Sequence, residues 1–318
     1  MSEEYYPKNF EEFIVWFATE TDCFDYIARI SWPNGFTCPR CQCAKVWETR
    51  RKLLHCSHCS HQSSITSGTI FHDTRKPLRL WFHVMWWMVS QKTGASAKNL
   101  KDGMGFGSYK TAWAWLHKLR RVMIRPGRDH LHGTVEVDET YIGGEEEGSK
   151  GRKIIKKSLV AVAVEDMGNH LGRVRFRCIP NASEKALLLF IEDNVQSGSI
   201  VKTDGWKSYK SLTKKEYRHV VKKISGSGSD AATLLPKVHI VVSLVKRWLM
   251  GTHQGAVSSE HLQYYLDEYA FRFNRRLSTH RGKLFYRLMQ KAVTTYPVPL
   301  KTIFVNKKPR KPQHFVST

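Results

Sequence analysis

The stretch Thr134-Val-Glu-Val-Asp-Glu-Thr-Tyr-Ile142 decides the fold. Its apolar and polar residues alternate with the two-residue period of a strand, and the neighbouring valines fix the direction in which Asp138 leaves the backbone. Further along, Ser158-Leu-Val-Ala-Val-Ala-Val164 is a second strand, apolar throughout, and Val174-Arg-Phe-Arg-Cys-Ile179 is a third, joined to the second by a turn around Met167-Gly-Asn-His170. Ser183 caps a helix running to about Asn194. Ile200-Val-Lys-Thr-Asp204 is a fourth strand and Tyr217 to Val221 a fifth, followed by helices over about Pro236 to Met250 and Ser258 to Arg275.

Three successive strands, then helix, strand, strand and helix, describe a mixed α/β sheet of the ribonuclease H-like kind with flanking helices. Asp138 in the first strand and Asp204 at the end of the fourth can meet at one edge of such a sheet. Paired carboxylates on rigid strands suit Mg²⁺, a small hard ion that takes one or two of them and leaves its other positions to water and phosphate. An aspartate before glycine is also a turn former, so Asp204 alone carries both readings. On the helix Val238-His-Ile-Val-Val-Ser-Leu-Val-Lys-Arg-Trp248, His239 and Lys246 stand two turns apart on one face. No Asp or Glu occurs between Asp230 and Glu260. Glu216, Glu260 and Glu268 are the alternative third acids. Glu136 shares the face of Asp138, whereas alternation sends Glu139 to the other.

Upstream of the strands, Leu78 to Ser90 reads as a helix. It is followed by a short helix from Ser96 to Asp102, a corner Gly103-Met-Gly-Phe-Gly107 and a longer helix beginning at Ser108. Short helix, glycine turn and N-capped longer helix is the pattern of a helix-turn-helix, whose second helix would offer Lys110, Lys118, Arg120 and Arg121 to a DNA groove. An ordinary helical hairpin with a solvated basic face fits the same pattern. Nearer the N-terminus, Cys38-Pro-Arg-Cys41 and Cys56-Ser-His-Cys59 form two Cys-x-x-Cys knuckles with the spacing of a tetrahedral Zn²⁺ site, as in a zinc ribbon spanning about residues 36 to 70. Ser64-Ile-Thr-Ser-Gly-Thr-Ile-Phe71 is expected as its closing strand. His55, His58 and His61 are possible substitutes for a sulfur. Cys43 is a bystander, and Cys23 and Cys178 are packing thiols. An amphipathic helix or helix pair is expected over residues 8 to 30.

Lys and Arg total 51 against 28 Asp and Glu, a net charge of +23 over 318 residues. Such an excess attracts a polyanion, and nucleic acid is the first expectation. No run of about 18 apolar residues suggests a membrane span. The acidic, aromatic start has no signal-peptide character, and with reduced metal-binding cysteines it points to the cytoplasm.

Four stretches together resemble the DDE-superfamily insertion-sequence transposases with an N-terminal zinc ribbon: Val135 to Gly144, Lys202-Thr-Asp-Gly-Trp-Lys-Ser-Tyr209, the helix carrying His239 with Lys246-Arg-Trp248, and Tyr265-Leu-Asp-Glu-Tyr-Ala-Phe-Arg-Phe-Asn-Arg-Arg276. The resemblance covers about residues 20 to 295. It implies a DNA transposase that cuts and joins transposon ends, with Asp138, Asp204 and His239 holding catalytic Mg²⁺ or Mn²⁺, and with Lys246, Arg275 and Arg276 on phosphates. Most of the superfamily places an acid where this chain has His239. Imidazole can ligate a metal or orient water, and Mn²⁺ tolerates it better than Mg²⁺ does. The implied organisation is a helix and zinc ribbon over 1–74, a helical DNA-binding segment over 75–128, a catalytic domain over 129–295 and a basic tail over 296–318. Implied too are a nucleoid-associated location and a homodimer or larger assembly on DNA. The other readings are a non-catalytic DNA-binding relative and a nuclease of the same fold.

Overall fold

Side chains start the first two helices: Asn9 accepts from the Glu12 N–H ahead of α1 (Phe10–Trp16), and Thr19 with Asp22 forms a reciprocal capping box ahead of α2 (Glu20–Ser31). The computed structural model describes residues 4–124, 127–143, 157–222, 234–255, 257–299 and 302–303. They divide into two units, one made of the residues up to 124 together with those from 277 onward, the other running from 127 to 276. Residues 144–156 and 223–233 and most of the expected basic tail lie outside the described residues.

In the first unit, β1 (Val46–Glu48), β2 (Leu53–Cys56) and β3 (Gln62–Ser64) form an antiparallel sheet in that order. The closing strand expected over 64–71 ends at Ser64 and gives way to turns. The hydroxyls there bond their own backbone: Ser64 Oγ accepts from the Thr66 N–H, and Thr69 Oγ1 donates to the Thr66 carbonyl while accepting from the Phe71 N–H. These local bonds compete with a ladder, and β-branching does not outweigh them. Next come α3 (Leu78–Ser90), α4 (Ala97–Met104) and α5 (Tyr109–Val122). Ser96 and Ser108 cap the last two, and Gly105, at φ +67°, ends α4 in the left-handed conformation. α9 (Arg281–Ala292) packs against α3, where Phe285 meets the rings of Phe13, Phe17 and Phe82. Gly282 is obligatory there, since a Cβ would lie 1.5 Å from the Pro7 carbonyl oxygen.

The second unit holds β4 (Thr134–Ile142), β5 (Ser158–Met167), β6 (His170–Ile179), α6 (Glu184–Glu192), β7 (Ile200–Thr203), a 3₁₀ segment (Lys207–Lys214), β8 (Arg218–Val221), α7 (Pro236–His253) and α8 (Leu262–Phe273). The strand order is β6-β5-β4-β7-β8, antiparallel from β4 to β6 and parallel from β4 to β8. Three antiparallel strands followed by two parallel ones added on the other side of the first is the ribonuclease H-like arrangement expected. Each face has its own core. Val135, Val137, Ala161 and Ala163 pack toward Phe190 of α6, and Val160, Val162 and Val164 pack toward Val241 and Val245 of α7 and Leu266 of α8. Asp138 projects on the second of these faces.

α8 also closes the β6 edge with two amides. Gln263 accepts from the Cys178 N–H at 2.8 Å and donates to the Phe176 carbonyl, while Asn274 accepts from the Val174 N–H at 2.7 Å and donates to its carbonyl at 3.1 Å. Side chains here take the place of a neighbouring strand.

Candidate active site and metal centre

Register brings the two aspartates together. β4 and β7 run parallel, with Glu136 opposite Lys202 as the last pair of their ladder; Asp138 lies two residues further along β4 and Asp204 directly follows β7, close enough for its charge to act on the Asp138 carboxyl. Asp138 Oδ1 accepts from the Glu139 N–H at 2.9 Å, and Asp204 Oδ1 accepts from the Trp206 N–H at 3.0 Å. Asp204 thus forms a turn and offers a carboxylate at once. Burial pushes the Asp138 carboxyl up to about 6, with the charges of Asp204 and Glu136 adding to the effect and the Glu139 N–H opposing it. His239 approaches from α7, its Nε2 at 4.0 Å from Asp138 Oδ2.

What aims α7 at the sheet is Glu136. The carboxylate is buried, at 2% exposure, and its Oε2 accepts from the backbone N–H groups of Lys237 at 2.8 Å and Val238 at 3.0 Å. The first turn of the helix that carries His239 is thereby capped from the strand that carries Asp138. Burial raises the Glu136 carboxyl, and the two N–H groups oppose that rise. Asp166 adds a second tie, pairing with Lys202 at 2.9 Å and with Lys237 at 3.9 Å. Glu139 lies on the opposite face, where it accepts from the Tyr209 hydroxyl at 2.7 Å. The hard oxygens of Asp138 and Asp204, with excess negative charge shared between them, suit Mg²⁺ or Mn²⁺.

Other sequence-predicted residues separate. Lys246 is exposed two turns beyond His239, its ammonium shifted downward by partial burial and by Lys157. Arg276 is occupied structurally: it donates to the Leu171 and Gly172 carbonyls of β6 and lies 4.1 Å above the Phe273 ring. Arg275 lies over the Phe271 ring and donates to the Phe271 carbonyl at 3.0 Å. Of the alternative acids, Glu268 is fully buried in α8, and Glu216 holds the Ser197 hydroxyl.

The basic face expected on α5 is largely enclosed. Arg120 is 0% exposed and donates to the Ala95 carbonyl, which takes it away from any groove. Lys118 is half-buried, 5.9 Å above the Trp81 ring, and Arg121 is partly buried. The exposed part of α5 is its N-terminal turn, Tyr109, Lys110 and Thr111. Burial of the second half follows from Ala112, Trp115, Leu116 and Leu119, whose apolar stripe sinks the basic residues beside it.

The sulfurs of Cys38, Cys41, Cys56 and Cys59 all lie within 4.8 Å of one another, with Cys38 to Cys59 at 3.6 Å and Cys41 to Cys56 at 3.5 Å. Four sulfurs about 2.3 Å from one ion stand roughly 3.8 Å apart, so the set fits Zn²⁺. Among the described residues, no other three Cys, His, Asp or Glu ligand atoms converge this closely. The two knuckles repeat one geometry. Gln42 donates to the Cys38 carbonyl and Ser60 to the Cys56 carbonyl, and both donors are left-handed, at φ +60° and +56°. Hydrogen bonds from the Cys59 backbone, and then that of His58, draw the Cys56 thiol down to about 6 against burial. Cys43 stays outside the group and accepts from the Lys45 N–H.

Two families match the chain: a transposase zinc-ribbon domain over residues 18–62 and an ISXO2-like transposase domain over residues 130–274. A protein described as an uncharacterized protein in transposable element ISH50, from Halobacterium salinarum, is 26% identical over 291 residues, which cover 84% of this chain and 94% of that protein. Among solved structures, a pre-cleavage Mos1 transpososome aligns over 66% of this chain and 77% of its own, at 14% identity and a TM-score of 0.29. The Mos1 strand transfer complex aligns over 67% and 74%, at 13% identity and a TM-score of 0.27. No described helix is long and apolar enough to cross a membrane.

Proposed function

We propose that this chain, which matches a transposase zinc-ribbon domain and an ISXO2-like transposase domain, is an insertion-sequence transposase that binds the ends of its element and cuts and joins DNA by metal-dependent phosphoryl transfer. The observation that carries the reading is Asp138 on β4 and Asp204 just beyond the end of the adjoining strand β7, with His239 at 4.0 Å from Asp138.

Held by these carboxylates, Mg²⁺ or Mn²⁺ supplies a Lewis acid that activates a hydroxyl and offsets phosphoryl charge. Asp138 on β4 and Asp204 in the turn after β7 would hold the ion, whose two positive charges offset the repulsion between the carboxylates. His239, kept in place through Glu136, completes the ligand set or orients the attacking oxygen. Lys246 holds a phosphate as a point charge on the same helix face. The ribbon and the exposed N-terminal turn of α5 contact DNA, where Lys110 meets the backbone. Joining two ends to a target requires at least a pair of chains, so a homodimer or larger assembly acts on DNA.

The test is a cleavage and joining assay with duplexes carrying the element's terminal sequences, with Mg²⁺ or Mn²⁺ added. Asp138→Asn and Asp204→Asn should each reduce cleavage by about a thousandfold or more, the scale of losing a metal ligand, while duplex binding stays. Unchanged cleavage rejects the site. Cutting without joining would identify a nuclease, and binding with neither would identify a non-catalytic DNA reader. Full activity of His239→Ala would remove the imidazole from the site.

A further inference from the structure

We propose that the outer face of the zinc ribbon is a stacking site for an unpaired base of single-stranded DNA. Trp47 lies opposite His55 in the β1–β2 ladder, and Val46 lies opposite Cys56. Alternation therefore sends the indole to the face away from the Cys56 sulfur. The indole and imidazole are stacked, with ring centroids 4.1 Å apart and planes 27° from parallel, yet Trp47 remains 52% exposed. A tryptophan braced on one side and half in solvent presents a flat, oriented aromatic surface.

Charge commits this surface to one class of partner. Lys45, two residues before Trp47, and Arg50 and Arg51, just after β1, are exposed. The two arginines stand in the tight β1–β2 turn, closed by Thr49 donating to the Leu53 carbonyl and Lys52 donating to the Thr49 carbonyl. The nearby acid, Glu48, lies on the other face and is paired with Lys52 at 2.7 Å. An aromatic platform on a small sheet with basic residues at its rim is the physical recipe for binding single strands: the base stacks and the phosphates meet the cations. Duplex DNA keeps its bases paired and offers an indole no ring face.

The inference rests on the reading of this chain as a DNA-binding protein, and the test separates the two. Binding of the full zinc-loaded chain is measured by fluorescence anisotropy against labelled oligothymidylate and against a labelled, fully paired two-strand duplex of the same length. Trp47→Leu, with zinc content equal to wild type, should weaken oligothymidylate binding by about tenfold or more and change duplex binding less than twofold, while Trp47→Phe keeps most of the single-strand affinity. Equal losses on both DNAs, or none on either, overturn the proposal while leaving duplex binding to stand. Failure to bind either DNA overturns both readings. An oligonucleotide carrying 5-iododeoxyuridine, photocrosslinked to the unaltered chain, should attach at Trp47. Attachment confined to other residues overturns the stacking site without relying on any variant.

Discussion

Asp138 shows how one residue can oppose the fold that positions it. Its folded pKa, about 6, stands above its ordinary value of 3.8, so the native chain binds the proton more tightly than the unfolded chain does. Stability at this residue is therefore greatest below about pH 4, falls as pH rises through the interval up to about 6, and stays reduced above it. In metal-free protein, Asp138→Asn should raise the unfolding free energy at pH 7.5 by up to about 2–3 kcal/mol, read as a higher thermal midpoint, and should leave the midpoint unchanged at pH 3.5. A midpoint that rises equally at both pH values would mean that charge is not the cause. The same neighbourhood shows what the sequence disclosed. Alternation in Thr134–Ile142 correctly set Glu136 beside Asp138 and Glu139 opposite, because a period of two is a property of the backbone. The partners of Glu136 were not legible: its bonds to Lys237 and Val238 span about a hundred residues, a closure that no local pattern announces.

At the scale of elements, the tie from β4 to α7 is itself testable. Glu136→Ala leaves two N–H groups at a buried helix start without their acceptor and should cost about 1–3 kcal/mol in urea denaturation. Glu136→Gln retains an acceptor oxygen and should cost less, and equal losses for the two would reject the capping role. The zinc ribbon makes a different demand. Its three strands have three to four residues each, too little sheet to stand without the ion. One equivalent of Zn²⁺ should bind per chain, and chelation should abolish amide protection over residues 36–64 while β4 to β6 stay protected in hydrogen exchange. Retained protection in the ribbon would count against a structural metal. Element types were readable wherever period and capping agreed, as at Ser96, Ser108 and Ser183. They were misread at Ser64–Phe71, where β-branched residues suggested a strand but hydroxyls bonded their own turns. The burial of Arg120 escaped notice for a related reason: charge marks a residue as costly to bury, and only the tertiary partner, the Ala95 carbonyl, reveals that it is buried.

For the whole molecule, a net charge of +23 makes salt the natural probe. If DNA is the partner, log affinity should fall linearly with log salt, with a slope near −0.9 for each phosphate neutralised. A flat profile from 50 to 200 mM would separate the charge from binding. Long-range architecture was only partly visible. The five strands were, but α9 was not, because what holds it is tertiary: its packing on α3 and the close approach of Gly282 to the Pro7 carbonyl. The amides of Gln263 and Asn274 were likewise silent in the sequence, yet they settle how this chain fails when incomplete. A product ending before Leu262 would keep every strand of the five and lose what seals β6. The outward N–H and C=O groups of β6, those of Val174, Phe176 and Cys178 among them, would then be left able to recruit strands from other molecules. Shortened copies of this gene would therefore yield material that clumps, rather than a harmless competitor for the full-length protein.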